Sequence, residues 1–304
     1  MMALMLILGF IVPRMMPGNP FTASDLSLTP ELQARFAEYY APGQSIWYQF
    51  GLYLKHLIHF DLGYSFYYNL PVLGLIRGRM GWTLFLSLTS LIIATLIAVP
   101  GGVWAALNSR RERGRLAVLV NIVVQATPVF LIALFLQLFV AYRWRLLPPQ
   151  GAYTPGITPF SAAFWPDALK HAVLPILAVV IYLVPSIFIL TRNVVLKVKR
   201  EKYVELARFM NVAAPTINRS YILRNSLPEI VSKLNINFVL TVAGTLFAEI
   251  IFTYPGLGSL TKIAVDARDY PLIQGIFLFL GFYGIVVNMI FEWIQHRLNP
   301  WQIK

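Results

Sequence analysis

Apolar runs separated by short polar intervals govern most of this chain. The runs at 82–107, 116–142, 171–191, 234–252 and 272–295 each approach or exceed the roughly 20 apolar residues that a helix needs to cross a bilayer. None shows the short alternating segments of a membrane barrel, so each must satisfy its backbone hydrogen bonds internally, as a helix. A sixth run, 1–12 (MMALMLILGFIV), is too short to cross alone. No basic stretch precedes it and no small-residue cleavage site follows, which argues against a signal peptide. Residues 1–16 are therefore expected to be the outer part of a first transmembrane helix whose inner start lies upstream. In-frame upstream sequence without apolar and basic residues would remove that expectation. Pro100-Gly101-Gly102, Thr127-Pro128, Pro175 and Pro185 fall inside spans and are expected to bend them.

The polar intervals carry their own patterns. Residues 17–81 are expected to form an external segment with short amphipathic helices at 30–40, 46–60 and 71–79 and a turn at 61–65 (DLGYS). The 46–60 stretch (IWYQFGLYLKHLIHF) is aromatic and two-faced; it would lie at a membrane interface or pack as a short external helix. Residues 143–170, rich in proline, glycine and aromatics, suit an external cap. Residues 82–304 then form the transmembrane domain, interrupted by a polar loop at 192–233. Within that loop 200–229 (REKYVELARFMNVAAPTINRSYILRNSLPE) is the longest charged interval. Glu201, Tyr203, Val204, Leu206 and Ala207 keep helical spacing, and Asn211 supplies a left-handed stop. A second helix is expected from Pro215 through Arg224, with Pro228 starting the return to the membrane. Two amphipathic helices outside the bilayer suit docking rather than catalysis.

Composition sharpens this. The chain is 58% hydrophobic and only 12% charged, about half the charge of a soluble domain. Its net charge of +12 follows from lysine and arginine gathering in cytoplasmic loops rather than from nucleic-acid binding. The segments 108–115, 192–233 and 296–304 hold 15 of the 25 Lys and Arg in about half the length of the opposite side. They are expected to be cytoplasmic, with the C-terminus among them. There is no cysteine, which excludes disulfides, thiolate catalysis and Cys-ligated metal. No GxSxG, HExxH or phosphate-cradling glycine loop occurs. His56 and His59 lack a third ligand for a metal site, and Ser87, Ser90 and Ser186 have no mid-span histidine to activate them. Glu249 is the one acid inside or at the edge of a span; it either serves the pathway or sits at the external helix end against a neighbouring turn. Gly244 and Arg192 join it as pathway or structural candidates.

Several motifs, in order, resemble a known family. Glu201-Lys202-Tyr203-Val204, Ala207-Arg208 and Asn211 are similar to the E-x-Y-V-x-x-A-R-x-x-G signature of the cytoplasmic loop of ABC-importer permeases. Leu223-Arg224-Asn225-Ser226-Leu227-Pro228 resembles that family's L-R-N-A-L-P, in its dipeptide/oligopeptide/nickel branch. Pro17-Gly18-Asn19-Pro20, Asp61-Leu62-Gly63-Tyr64-Ser65, Glu249-Ile250-Ile251-Phe252 with Pro255-Gly256-Leu257-Gly258, Arg268-Asp269-Tyr270-Pro271 and Gln274-Gly275 resemble further branch motifs. The chain departs from the pattern at Asn211 (glycine in the family), Met210 (basic) and Asn19 (acidic). The resemblance implies an all-α membrane protein, a six-helix bundle of the type I ABC importer permease kind. It implies a non-catalytic subunit of the inner membrane that binds no cofactor itself, with ATP and Mg on partner subunits. The implied partners are a second permease, two ABC ATPases and an external solute-binding protein for peptides or related solutes. Glu201, Tyr203, Val204, Ala207, Arg208 and Asn211 would couple to an ATPase. The alternative is a secondary transporter or channel without ATPase partners, which would call for intramembrane ions and inverted repeats.

Overall fold

The computed structural model describes residues 2–15, 30–41, 43–159 and 161–298. The expected turn at 17–20, the opening of the external segment and the end of the tail lie outside these residues. In chain order the elements are α1 (Met2–Met15), α2 (Pro30–Tyr40), α3 (Ile46–Ile58), the strands β1 (Tyr64–Ser65) and β2 (Leu70–Pro71), α4 (Val72–Leu107), α5 (Glu112–Gln125) and α6 (Val129–Leu136). A π-helix, Gln137–Arg143, continues α6. Then come α7 (Phe164–Val198), α8 (Lys202–Phe209), one turn at Ala214–Thr216, a second π-helix at Ile217–Leu223, α9 (Arg224–Ile251), α10 (Leu257–Asp266) and α11 (Tyr270–Leu298).

Among the described residues, α4, α7 and Tyr270–Ile294 of α11 are each long and apolar enough to cross a membrane. The run at 116–142, expected as one span, is instead a pair of helices bent by 92°. Pro128 explains the break. It lacks an N–H to continue the α5 ladder, and its ring pushes Thr127 out of the helical region. The segment 71–79, expected as a separate helix, is the opening of the 36-residue α4. Glycines at 74, 78 and 81 lower its apolarity but cost only about 1 kcal/mol each inside a helix, too little to stop it. Pro100 likewise lies within α4 without ending it. The second helix of the polar loop does not end at Arg224; α9 runs on through Pro228 to Ile251. Residues 192–198 belong to the end of α7.

By its contacts the chain divides into two compact units, residues 1–83 with 255–285 and residues 84–254 with 286–304. In the first, the Asp61 carboxylate organises the turn after α3. It accepts from Gly63 N at 2.9 Å and from Tyr39 Oη at 2.9 Å, and lies 3.1 Å from His56 Nδ1. Gly63 takes φ +86°, which glycine alone adopts freely. Burial, aided by the Asp61 carboxylate, pushes the Tyr39 phenol up to about 12, so it remains a donor. Next comes the antiparallel β1–β2 hairpin, with Tyr64 opposite Pro71 and Ser65 opposite Leu70. Asp269, at the start of α11 and 1% exposed, accepts from Ser65 Oγ, from Tyr67 N at 3.1 Å and from Leu272 N at 3.3 Å, and so ties the hairpin to that helix. Burial raises its carboxyl pKa, and these hydrogen bonds work against that rise.

In the second unit α4 packs on α7 through glycine. A Cβ on Gly102 would meet Phe188 O at 2.7 Å and Thr191 Cβ at 2.8 Å. Small residues allow such close helix contact in membranes. Leu183, Ile187 and Phe188 of α7 close a core with Ala94, Ala98 and Ala105 of α4. The 143–170 segment is clasped by side-chain hydrogen bonds from α7 and from the π-helix that continues α6. Gln137 Nε2 donates to Pro149 O at 3.0 Å and to Ile251 O at 2.8 Å. His171, 7% exposed, holds Nδ1 at 2.9 Å from Gln150 O and 3.2 Å from Gly151 O. Facing only carbonyls, that nitrogen carries its proton and donates. Asp167 accepts from Thr154 N and Thr154 Oγ1.

Candidate docking site

The second unit seats α8 by a few buried side chains. Val204 is fully buried and Ala207 is 3% exposed. Both join a cluster with Ala106 of α4, Val195 and Val198 of α7, and Ile217 and Ile222 of the second π-helix. Burying Val204 completely contributes on the order of 1.5–3 kcal/mol. Lys199, just past α7, reaches 3.5 Å to Ala106 O near the end of α4. Burial, with Arg208 and Arg110 nearby, lowers its pKa.

The helix ends as its sequence demands. Asn211 takes φ +54°, its N–H donates to Arg208 O at 3.0 Å, and Val212 N donates to Ala207 O at 3.1 Å. These two bonds form a Schellman cap, which needs a left-handed residue at the position of Asn211. Asparagine tolerates that conformation better than other side chains, and glycine tolerates it best. Val212 packs against the same cluster as Ala207 and completes the cap.

The opposite face of α8 is open. Tyr203 is 40% exposed, Leu206 59%, Phe209 77% and Met210 69%. Steps of three and four residues place Tyr203, Leu206 and Met210 along one side, and Phe209 borders them. Glu201, at the N-cap position, and Arg208 are exposed beside this patch. Burial followed by the Glu201 carboxylate raises the Tyr203 phenol.

The structure therefore brings Glu201, Tyr203, Val204, Ala207, Arg208 and Asn211 onto one short helix and its cap, but in two roles. Val204 and Ala207 face the chain's own core, and Asn211 shapes the helix end. Leu206, Phe209 and Met210, which the motif did not mark, form most of the open patch. Their spacing was the available signal. The other candidates lie elsewhere. Arg192 is half-buried in α7 and its Nη1 donates to Asn193 Oδ1 at 3.2 Å. Gly244 lets α9 approach Tyr182 of α7; a Cβ there would lie 3.3 Å from the ring. Glu249 is fully buried two residues before α9 ends, and Tyr254 N returns to its carbonyl at 2.8 Å. It stands on the buried stripe Asn237, Thr241, Thr245, Glu249, with Ser186 Oγ of α7 donating to Asn237 Oδ1 at 2.9 Å. Among the described residues no group of three or more metal-ligating side chains gathers.

Residues 98–304 match the family model described as binding-protein-dependent transport system inner membrane component. The chain is 28% identical over 97% of its length to the dipeptide transport system permease protein DppB of Escherichia coli K12, covering 92% of that protein. It is 27% identical over 97% of its length to the glutathione transport system permease protein GsiC of Shigella flexneri serotype 5b, again covering 92%. A chain of the MetNI methionine ABC transporter in an inward-facing conformation shares the fold, with a TM-score of 0.60 at 14% identity over 74% of this chain and 96% of that one.

Proposed function

The chain belongs to the family of binding-protein-dependent transport system inner membrane components, the permease subunits of ABC importers, and from that premise we propose that it carries short peptides delivered by an external solute-binding protein. The dipeptide and glutathione relatives support that substrate class. The subunit pairs with a second permease to enclose the pathway, and two ATPase subunits, which bind ATP and Mg, dock on the cytoplasmic side. The chain itself carries out no catalytic step. The observation that carries the docking role is the open apolar face of α8, held on the core by Val204 and Ala207 and stopped by the Asn211 cap.

The patch of Tyr203, Leu206, Phe209 and Met210 enters a groove on one ATPase, with Glu201 and Arg208 at its rim. Closure of the ATPase pair shifts α8. The shift passes through the helices joined to it and favours one of two access states. The C-terminus and the segments 108–115 and 199–223 face the cytoplasm, as their basic residues demand. Six crossings then comprise α1, α4, the bent α5–α6 pair, α7, α9 and α11. The external segment ends where α4 begins at Val72, and the transmembrane domain runs from α4 onward, with its cytoplasmic loop between the end of α7 and the start of α9. Arg192, Gly244 and Glu249 stand along or beside the pathway. Paired Leu206→Glu and Phe209→Glu substitutions test the docking role. The expected result is loss of the ATPase subunits on co-purification and loss of peptide uptake, with the elution volume of the permease unchanged. ATPase subunits retained at wild-type level, with normal uptake, would refute it.

A further inference from the structure

We propose that α3 is an interfacial anchor whose outer face lies in the phospholipid headgroup layer, at the bilayer surface beside the start of α11. The inference uses only the membrane-spanning character of α11, not the transport assignment. Two faces of α3 differ sharply. Tyr53, 9% exposed, and Phe50 turn inward, where Phe10 of α1 meets them with ring centroids 5.6 and 5.1 Å away. The outer face carries Trp47 at 80% exposure, Tyr48 at 57% and Ile58 at 77%, and Phe60 follows the helix at 85%. Lys55 and His59 are exposed among them.

The depth of α3 decides what covers that face. A Cβ on Gly9 of α1 would lie 3.4 Å from Tyr53 Oη and 3.9 Å from Leu278 Cδ2. Leu278 stands eight residues into α11, about 12 Å along its axis. The apolar stretch Tyr270–Ile294 has 25 residues, about 37 Å, against a hydrocarbon core of about 30 Å. The middle of α3 therefore runs beside the outer part of a membrane span and does not stand clear of it. Its outer face must meet either lipid or another protein. The centre of a protein interface is depleted of lysine, yet Lys55 sits in the middle of this face. Trp and Tyr with a lysine between them is the composition of the headgroup zone, where aromatic rings rest and lysine extends its ammonium to water. Arg14, tied to Gln49 Oε1 at 3.2 Å, adds a cation at the same end of α3. Anchored in this way, α3 sets the height of the turn that Tyr39 and Asp61 hold.

The absence of cysteine makes a direct test practical. Trp47→Cys, Tyr48→Cys and Ile58→Cys are each labelled with a nitroxide in the full-length chain. Tyr67→Cys in the hairpin turn gives the aqueous comparison. Each protein is reconstituted in phosphatidylethanolamine–phosphatidylglycerol vesicles, alone and with its partner subunits, and flotation confirms insertion. Power-saturation spectra are recorded with oxygen, which concentrates in lipid, and with a nickel chelate, which stays in water. At positions 47, 48 and 58 oxygen collisions are expected to exceed nickel collisions, and the order is expected to reverse at 67. Nickel access at 47 and 58 equal to that at 67 would overturn the proposal in favour of a water-facing helix. Poor access to both reagents, in either preparation, would overturn it in favour of a covering protein.

Discussion

Asn211 allows the end of α8 to be tested with single-residue changes of known cost. At φ +54° a Cβ approaches the following carbonyl oxygen, which costs about 1–2 kcal/mol for an ordinary side chain. Glycine escapes this cost, and asparagine partly offsets it by local hydrogen bonding. The cap holds two amides, Asn211 N–H on Arg208 O and Val212 N–H on Ala207 O. Their opening without global unfolding reports on the cap alone. Asn211→Gly is expected to leave hydrogen exchange of residues 203–212 equal to or slower than wild type, with transport kept or improved. Asn211→Ala is expected to speed exchange, and Asn211→Val to speed it further because a branched Cβ tolerates this region least. A cost of 1–2 kcal/mol corresponds to about a 5- to 30-fold change in the open population. Exchange mass spectrometry on detergent-purified protein measures this, and peptide uptake reports the consequence. Unchanged exchange in Asn211→Val, or faster exchange in Asn211→Gly, would refute the assignment of a Schellman cap. A loss of transport in Asn211→Gly with unchanged exchange would mean that the asparagine side chain itself touches a partner.

Three further outcomes are expected. Gly102→Ala must push Phe188 O and Thr191 away from contacts under 3 Å and should cost about 1–3 kcal/mol, whereas Gly78→Ala, with open space around it, should gain up to about 1 kcal/mol. Thermal melts in detergent separate the two, and the reverse order would contradict the α4–α7 packing. His171→Phe keeps the ring but removes the donor to Gln150 and Gly151, costing about 1–3 kcal/mol; limited proteolysis should then cut near 150–156 faster, and an unchanged rate would count against the clasp. Asp269→Ala leaves Ser65 Oγ, Tyr67 N and Leu272 N without their shared acceptor, at about the same cost. Hydrogen exchange at 64–71 should rise while that of α7 stays constant, and equal rises in both would assign Asp269 a global role.

Hydropathy located α4, α7 and α11 because long apolar runs are helices when no water is available to satisfy the backbone. It missed the opening of α4, where Arg77, Arg79 and three glycines dilute the run although nothing there stops a helix. The break at Pro128 was legible as a bend, but an angle of 92° depends on packing around it. The second helix of the loop was expected to end at Arg224 with Pro228 starting the return to the membrane, yet a lone proline removes one hydrogen bond and adds a clash that a long helix can absorb by bending, and α9 runs through it. The position and end of α8 were legible from spacing and from Asn211. Its orientation was not, because Val204 and Ala207 on one side and Leu206, Phe209 and Met210 on the other are all apolar. Only the neighbours Ala106, Val195 and Ile217 decide which set turns inward. The aromatic nature of α3 was also plain, while its seat against Phe10 and Gly9 of α1, near Leu278 of α11, depends on tertiary packing.

The unbroken passage from the second π-helix into α9 gives that part of the chain a mechanical advantage. With 28 residues α9 is about 42 Å long, and Pro228 near its start bends it at most without ending it. A tilt of 10° applied at its Arg224 end would sweep the Glu249 end through about 7 Å, on that length. Under the proposed docking of an ATPase on α8, that eight-residue helix, about 12 Å long, would serve as the short arm of this lever. A modest thrust on the short arm would then be amplified at the far side, and stiffness, more than local flexibility, would be the property that this stretch of sequence must preserve.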